Sequence, residues 1–388
     1  MKKVMLIVVI TTIGFSLYAQ QAGTVNCHPG ITLNSNYSKG LALDSIMKKY
    51  TANALPGVAI AVYTEKEGWW AGAQGYAKVE SKTPMDNCHL QYLQSIAKMY
   101  MAVEMLQLKE QGKVNFDAAI TKYLPAKFSK YIKDADKITV GMLLNQSSGI
   151  PEYNTNPQFI SQVIEHPLSY FSADDCLKCI GGQDLNFAPG SKYEYTNTNY
   201  LLLAIIGDVI TGDHTVYMKM SIFTPLGLTN TFYGNDYTYL RGRNLPDSYW
   251  DVLNVGKPAN ITRFQQATVV SSKGDDGIVA TPVEAIKFLK GLMEGKLLNT
   301  ASMKEMFDFV KDENGNKRYG MGMTYFDLGG ITAYGHGGGG IGAGCGLLYV
   351  PSHNLYLFFS TNLGVFVESD LVKKADEMKN AVLLTLLH

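Results

Sequence analysis

The pattern of apolar and polar positions changes along the chain. Residues 57–75 form two short apolar, β-prone runs on either side of a charged turn, and this pattern predicts a hairpin of two strands. Over residues 98–111, apolar positions recur three and four residues apart, which predicts a helix that begins close to Ser95 and stops at Gly112. Across residues 116–256, helical patterns alternate with loops that contain proline and glycine, so this region is predicted to be mainly helical.

Strand-like patterns return in the last third of the chain. After a predicted helix at residues 282–295 they occupy residues 319–326, 346–350 and 355–360, and a final amphipathic helix is predicted at residues 370–387. Strands near both ends with helices between them predict an α/β (α+β) fold with one sheet assembled from both termini. The predicted boundaries place residues 20–93 and 270–388 in the sheet domain and residues 94–269 in an inserted, mainly helical domain.

The composition is that of a folded globular protein. Hydrophobic residues make up 46% of the 388 residues and charged residues 18%, so there is ample apolar surface to bury and little charge repulsion to keep the chain disordered. The 34 Lys and Arg residues balance the 34 Asp and Glu residues, and such a chain has no strong overall field to hold a nucleic-acid backbone. We therefore expect no nucleic acid partner.

The first nineteen residues have the features of a secretory signal. Two lysines precede an apolar stretch at residues 4–17, and Ala19 is a small residue at which a signal peptidase could cut. A membrane anchor is the alternative, but as a helix the stretch up to Ala19 is about 24 Å long, and a hydrocarbon core is about 30 Å thick. We expect a signal peptide at residues 1–19 and a monomeric, periplasmic or secreted mature protein with no stable membrane span.

The cysteines indicate neither a disulfide scaffold nor a metal site. Five are few for a chain of this length, and their odd number leaves at least one unpaired within a monomer. Cys176 and Cys179 form one Cys-x-x-Cys pair, but no second Cys or His pair follows at the spacing of a zinc site. We interpret this pair as part of an ordinary helix surface or as a local bridge. No metal and no cofactor are predicted, and the disulfide pairing stays open.

Ser95 and Lys98 form a Ser-x-x-Lys motif at a predicted helix start. Residues three apart on a helix share one face, so the lysine amine can reach the serine hydroxyl, which is a poor nucleophile until a base takes its proton. The motif is short, and Ser45 with Lys48 repeats it in a polar, lysine-rich segment that is typical of an outer helix. A solvated face explains that second copy, which therefore serves as an internal control.

Two further segments carry candidate chemistry. Tyr195 and Asn197 lie on a loop just before an apolar helix, where a phenol can relay a proton and an amide can hold a substrate carbonyl. Residues 335–340 match a dinucleotide-binding glycine pattern, but a strand-like segment follows them instead of a helix. A strand edge without side chains explains them better, with His336 lining the cleft and a substrate lying against the backbone. The alternative is a glycine-rich hairpin with a structural histidine.

The chain thus carries three motifs in order: Ser95 with Lys98, Tyr195 with Asn197, and the glycine-rich segment with His336. Together they resemble the motifs of the penicillin-recognising serine hydrolases, especially the class C β-lactamase-like branch with its D,D-carboxypeptidases and esterases. The resemblance covers residues 57–360, and flanking segments at residues 106–125, 139–151, 225–228 and 276–284 agree with it. It implies a β-lactamase/transpeptidase-like fold of the α/β (α+β) class. Such a fold has an antiparallel sheet built from both termini, flanking helices and an inserted all-helical domain.

The resemblance also implies a role for each motif residue. Ser95 would be the acylated nucleophile, Lys98 the base that activates it, and Tyr195 the group that shuttles the proton. The implied contacts to the substrate come from Asn197, His336, Gly338 and an oxyanion hole made by the backbone N–H groups of Ser95 and Gly339.

The third motif departs from many β-lactamases, which carry a lysine where this chain has His336. A histidine has a reference pKa of about 6.5 and is mostly neutral at pH 7, so a preference for anionic substrates is not implied. We predict an exported serine hydrolase that forms an acyl-enzyme on Ser95 with an amide or ester: a β-lactam, a D-Ala-D-Ala-type peptide or a small ester. The alternative is a non-hydrolytic protein that binds penicillin or cell-wall fragments as a sensor.

Overall fold

The computed structural model describes residues 27–52, 55–234 and 237–388. These residues form helices and antiparallel strands in mixed order, which confirms the predicted fold class. The predicted signal peptide at residues 1–19 lies outside the described residues. The predicted domain boundaries and the monomeric state stay predictions.

A large antiparallel sheet is built from both ends of the described chain. The strands, in chain order, are β1 (Gly57–Thr64), β2 (Gly68–Lys78), β3 (Thr83–Pro84), β4 (Gln91–Tyr92), β5 (Thr231–Phe232), β6 (Tyr249–Trp250), β7 (Ala259–Asn260), β8 (Val279–Ala280), β9 (Val310–Lys311), β10 (Lys317–Tyr319), β11 (Thr324–Asp327), β12 (Thr332–Gly339), β13 (Gly344–Val350) and β14 (Leu355–Thr361). The sheet has the order β3-β2-β1-β14-β13-β12-β11-β10-β9. Strand β1 therefore pairs with β14, and Val58 lies opposite Thr361.

Helices cover both faces of this sheet. In chain order the α-helices of the described residues are α1 (Gly40–Ala52), α2 (Ala97–Glu110), α3 (Ala126–Ser129), α4 (Val140–Leu144), α5 (Pro157–Glu165), α6 (Ala173–Lys178), α7 (Asn197–Thr211), α8 (His214–Met218), α9 (Thr262–Ser271), α10 (Pro282–Met293), α11 (Thr300–Met306) and α12 (Asp370–Leu387). None of these helices alone is long and apolar enough to cross a membrane. Helix α7 reaches the required length and hydropathy only together with residues 214–223, and the two segments meet at a bend of 85°.

Strand β1 shows how the two helix layers are held. Val58, Ile60 and Val62 are fully buried in a core cluster shared with α1 and α12, and burial of each contributes about 1.5–3 kcal/mol. Ala61 points to the opposite face and belongs to the core cluster that contains α10. Because the side chain of Ala61 is small, α10 can pack close to the sheet on that face.

Helix α2 is the central helix of the molecule. Eleven of its fourteen residues are buried, and a helix surrounded by protein is expected to be apolar on all sides. Lys98 and Glu104 are the charged residue types among those buried positions. The lysine amine must therefore find its hydrogen-bond partners inside the protein.

Two local predictions are corrected by the structure. Residues 319–326 form the paired strands β10 and β11 instead of one strand, because the N–H of Gly320 donates to the carbonyl of Met323 at 2.7 Å and closes a tight turn. Cys176 and Cys179 lie neither on a helix surface nor in a bridge, since both are buried free thiols. They fill space in the larger core cluster, as small apolar side chains do.

One disulfide joins Cys27 to Cys88, a pairing that the sequence left open. Cys88 lies just before β4 and the segment that carries Ser95. The bridge thus attaches the first described residues to the chain that enters the central helix.

We predict that the double variant Cys27→Ser/Cys88→Ser has a free energy of unfolding about 2–4 kcal/mol lower than the wild type, because the bridge restrains the unfolded chain. Guanidinium unfolding of both proteins measures the difference, and a reductant should have the same effect on the wild type. A change within about 0.5 kcal/mol, the usual range for surface substitutions, would show that the bridge does not restrain the chain.

Candidate active site

Ser95 lies in a tight turn at the start of α2. Residues Gln94–Ile96 form a 3₁₀ turn, and Gln94 has a φ of 49°, a left-handed conformation that costs a non-glycine residue about 1–3 kcal/mol. Within residues 89–106, Ser95 is the one residue that is not buried. The strained turn therefore presents a single hydroxyl from an otherwise buried segment.

Lys98 connects the parts of the site. Its side chain is fully buried, and Nζ donates to Ser95 Oγ at 3.0 Å, to Asn197 Oδ1 at 2.6 Å and to the carbonyl oxygen of Asp275 at 3.0 Å. These contacts match the three donors of an ammonium group, whose burial without partners would be very costly. The structure thus brings together Ser95, Lys98 and Asn197, as the sequence predicts.

Asn197 is held in place by Glu152, a residue that the sequence analysis missed. The carboxylate of Glu152 accepts from the backbone N–H of Asn197 at 2.6 Å and from its Nδ2 at 3.1 Å. The amide oxygen is therefore left to face Lys98. Glu152 lies 45 residues before Asn197, and no sequence spacing links the two.

Tyr195 stands just before α7. Thr196 caps this helix through its hydroxyl oxygen, which accepts from the N–H of Thr198. The Tyr195 ring centroid lies 5.0 Å from Lys98 Nζ, and the residue remains 36% exposed. Burial of the hydroxyl end raises the pKa of Tyr195, against the opposing effects of the Lys98 charge and of hydrogen bonds to Lys98 and Ser95. At neutral pH Tyr195 is therefore a protonated phenol that can donate its proton.

His336 lies behind Tyr195, at 6.0 Å between ring centroids, and is 4% exposed. Its Nδ1 lies 2.5 Å from the carbonyl oxygen of Gly337, so we assign the ring hydrogen to Nδ1, and Nε2 then accepts from the Tyr319 hydroxyl at 2.9 Å. Burial, together with the Lys98 charge, lowers the pKa of His336 to about 3, so the ring is neutral. Both nitrogens have partners within the protein and His336 does not line the cavity beside Ser95, so its predicted contact with a substrate stays a prediction.

Strand β12 passes close to the 3₁₀ turn because its glycines have no side chains. A Cβ atom at Gly338 would lie 2.6 Å from the carbonyl oxygen of Leu93 and 2.6 Å from Cys345 Sγ, whereas one at Gly337 would meet nothing within 4 Å. Strand β11 pairs with β12 only as far as Gly335, so the rest of β12 pairs with β13 alone. Its other edge is thus free to lie beside the turn.

A cavity of about 280 Å³ opens beside Ser95. Of the predicted site residues, Asn197 and Gly339 also line it, while Gly338 lies against the backbone at Leu93. Its walls are mostly aromatic and aliphatic and include Tyr153, Phe159, Phe171, Trp250, Phe264 and Ile341.

Two acidic residues that the sequence analysis did not single out also line this cavity. Asp275 and Asp276 are consecutive and buried, and burial raises the pKa of each to about 7, although the Lys98 charge opposes the rise. Two consecutive acidic residues between Gly274 and Gly277 are the signal that could have found them.

The loop that carries Asp275 is anchored from the helical side. The N–H of Gly274 donates to the Tyr233 hydroxyl at 2.9 Å, and that hydroxyl lies 2.8 Å from His214 Nε2. His214 Nδ1 in turn lies 2.6 Å from the carboxylate of Asp208. This chain of contacts fixes the backbone next to the carbonyl that accepts from Lys98.

Comparison with known sequences gives a family match over most of the chain. The family model described as Beta-lactamase matches residues 43–378. The chain is 28% identical over 178 residues to Protein flp of Staphylococcus aureus (strain COL), a match that covers 46% of this chain and 34% of that protein. It is 27% identical over 251 residues to a putative D-alanyl-D-alanine carboxypeptidase of Escherichia coli (strain K12), covering 60% and 56% of the two chains. The chain thus spans between a third and somewhat more than half of the length of these relatives.

Comparison with solved structures confirms the predicted fold. The D-amino acid amidase from Ochrobactrum anthropi SV3, solved with L-phenylalanine amide, superposes with a TM-score of 0.77 over 89% of this chain and 98% of that chain, at 24% identity. Similarity at this level shows that the two proteins share the β-lactamase-like arrangement of helices and antiparallel sheet.

We predict that Gly338→Ala lowers the free energy of unfolding by about 1–3 kcal/mol, because the added methyl group overpacks the contact between β12 and the 3₁₀ turn. Gly337→Ala is the matched control on the same strand and should change stability by less than about 0.5 kcal/mol. Urea unfolding measures both variants. Equal losses at the two positions would show that the strand does not approach the turn as closely as described.

Proposed function

Because the chain belongs to the beta-lactamase family, we propose that it is a serine hydrolase that cleaves an amide or ester through an acyl-enzyme on Ser95. The observation that carries this proposal is the 3.0 Å contact between the buried amine of Lys98 and the Ser95 hydroxyl. A serine becomes an effective nucleophile when a neighbouring base takes its proton, and Lys98 is the basic side chain in contact with Ser95 Oγ.

The proposed reaction starts from Lys98 as a free amine, after its ammonium has released one proton to solvent. Ser95 Oγ then attacks the substrate carbonyl carbon while this amine accepts the hydroxyl proton. The backbone N–H groups of Ser95 and Gly339 bind the oxyanion, a contribution typically worth about two to three orders of magnitude in rate. Tyr195 then protonates the leaving amine or alcohol and regains a proton from Lys98, and the acyl group stays on Ser95. Water then attacks the acyl carbon, and its proton passes through the Tyr195 hydroxyl to the Lys98 amine. The same proton returns to Ser95 Oγ as the bond between Oγ and the acyl carbon breaks and the acid leaves.

The residues of strand β12 near the site affect which leaving group the substrate can carry. Its cleft end carries a neutral, buried His336 and a Gly337 without a side chain, so neither residue supplies a cation for a carboxylate. This supports an ester or amide without a carboxylate on its leaving group over a β-lactam or a D-Ala-D-Ala-type peptide. The amino acid amides named for the Ochrobactrum amidase have such a leaving group.

Intact-mass spectrometry tests the mechanism with a cephalosporin, a D-Ala-D-Ala peptide and an activated ester. We expect a covalent adduct from the ester and its complete loss in Ser95→Ala, because Ser95 is the serine whose hydroxyl contacts Lys98 among the described residues. Tyr195→Phe should lower kcat/KM by about 10²–10⁴-fold, the usual effect of losing a general acid–base group.

Ser45→Ala is the matched control for this experiment. Ser45 belongs to the second Ser-x-x-Lys motif, but it is exposed on α1 and its hydroxyl donates to the carbonyl of Leu41. This variant should keep the wild-type turnover. No adduct and no turnover with any of the three reagents would refute the proposed function, whereas a lasting adduct without product release would indicate the sensor.

We further propose that the protein is exported to the periplasm or the medium. The disulfide between Cys27 and Cys88 supports this, because structural disulfides persist in oxidising compartments. In a Gram-negative host we expect a periplasmic or secreted chain whose mass lacks residues 1–19 and whose disulfide is intact. A cytoplasmic chain with these residues retained and Cys27 reduced would contradict the proposal.

A further inference from the structure

Residues that line the cavity beside Ser95 carry buried polar atoms for which the described chain provides no hydrogen-bond partner. These atoms belong to residues that line the cavity, namely Gln94 Nε2, Trp250 Nε1, Gln265 Nε2 and Asp275 Oδ1. Buried polar atoms in folded proteins are nearly always hydrogen-bonded. All four atoms belong to residues that line one cavity next to Ser95, so a substrate that enters it and shifts these side chains can supply their partners.

Asp275, the residue that carries the unpaired acceptor, has its backbone close to Ser95. Lys98 Nζ is 3.0 Å from Ser95 Oγ and 3.0 Å from the carbonyl oxygen of Asp275, so these two oxygens are at most 6.0 Å apart. Asp275 is 4% exposed and its neighbour Asp276 is 9% exposed. Lys98 donates to the backbone carbonyl of Asp275. The side-chain atom Asp275 Oδ1 has no hydrogen-bond donor among the described residues.

An ammonium group is the ligand chemistry that this acidic end recognises. A protonated amine would donate to Asp275 Oδ1 and compensate the buried negative charge, which a neutral hydroxyl or amide donor would not do. Burial raises the pKa of Asp275 and of Asp276 although the Lys98 charge opposes the rise, so a second cation beside them would stabilise their charged forms.

The rest of the cavity fits a bulky apolar group. Its walls include the rings of Phe159, Phe171 and Phe264. Ile160 and Phe366 also line it and are 40% and 52% exposed, so they leave apolar surface that a substrate can cover.

We propose that this cavity binds the acyl part of the substrate as an aminoacyl group with a bulky apolar side chain, whose protonated amine is held by Asp275 and Asp276. The inference rests on the proposed function, because it places the acyl carbonyl at Ser95. The unpartnered donors of Gln94, Trp250 and Gln265 are then available to carbonyl oxygens of the substrate. The substrate class is an amide or ester of an apolar amino acid, or a peptide that begins with one.

The kinetic test compares substrates that differ only in the amine: D- and L-phenylalanine p-nitroanilide against 3-phenylpropionic acid p-nitroanilide. We expect kcat/KM to be at least about tenfold higher for one of the amino acid anilides, and Asp275→Asn to reduce this ratio to about threefold or less, because a buried ammonium loses its charged partner. This substitution keeps the side-chain shape and the backbone carbonyl that holds Lys98.

A second acidic variant and a control accompany this measurement. Asp276→Asn should reduce the ratio in the same direction, and its new amide oxygen can still accept from the N–H of Gly277, as the Asp276 carboxylate does. Asp184→Asn removes the same charge from an exposed residue that pairs with Lys133 and does not line the cavity. This control should leave the ratio at its wild-type value.

Calorimetry on the Ser95→Ala protein measures binding without reaction. We expect phenylalanine amide to bind at least about tenfold more tightly than 3-phenylpropionamide, and this difference to disappear when Asp275→Asn is added. The inference would be overturned if the two amides bound equally tightly and the kcat/KM ratio of the anilides did not depend on Asp275. This holds even if the activated ester still acylates Ser95. Failure of that ester to acylate Ser95 would refute the proposed function, while the calorimetry would still decide whether the cavity recognises an amine.

Discussion

The buried amine of Lys98 constrains the rest of the structure. A charged group in a protein interior is stable only when polar partners surround it, and here the partners come from the turn before α2, the first residue of α7 and the loop before β8. Two of them lie 99 and 177 residues away in the sequence. One amine can meet all three only if the helical region and the sheet are packed in a single arrangement, so folding and site geometry depend on the same contacts.

Two of the three partners of Lys98 are in turn held by polar side chains. Glu152 fixes the amide of Asn197, and the contact from Tyr233 to Gly274 fixes the loop that ends at Asp275. On the other side, close packing of β12 against the 3₁₀ turn leaves the serine little freedom to move. The reacting atoms are therefore positioned by rigid elements, which is the condition for fast chemistry without a large reorganisation step.

The sequence predicts those parts of the molecule that depend on short-range geometry. The hairpin of β1 and β2, the final helix and the contact between Ser95 and Lys98 follow from strand alternation, helical periodicity and a three-residue spacing. Glu152 and the cavity-facing side of Asp275 could not be predicted in this way, because their partners are brought close only by tertiary packing. The burial of the His336 ring could not be predicted for a related reason. It depends on the contact with Tyr319, which lies just before the break between β10 and β11, and the sequence pattern did not indicate that break.

The pairing of β1 with β14 has a consequence for how this protein is made. The two strands are neighbours inside the sheet although about 300 residues separate them, as Val58 and Thr361 illustrate. During synthesis, β1 and β2 emerge first and keep an unsatisfied row of backbone groups until the last strand leaves the ribosome. Such long-range topology slows folding and prolongs the exposure of an unpaired strand edge, which favours aggregation of the chain until β14 has paired with β1.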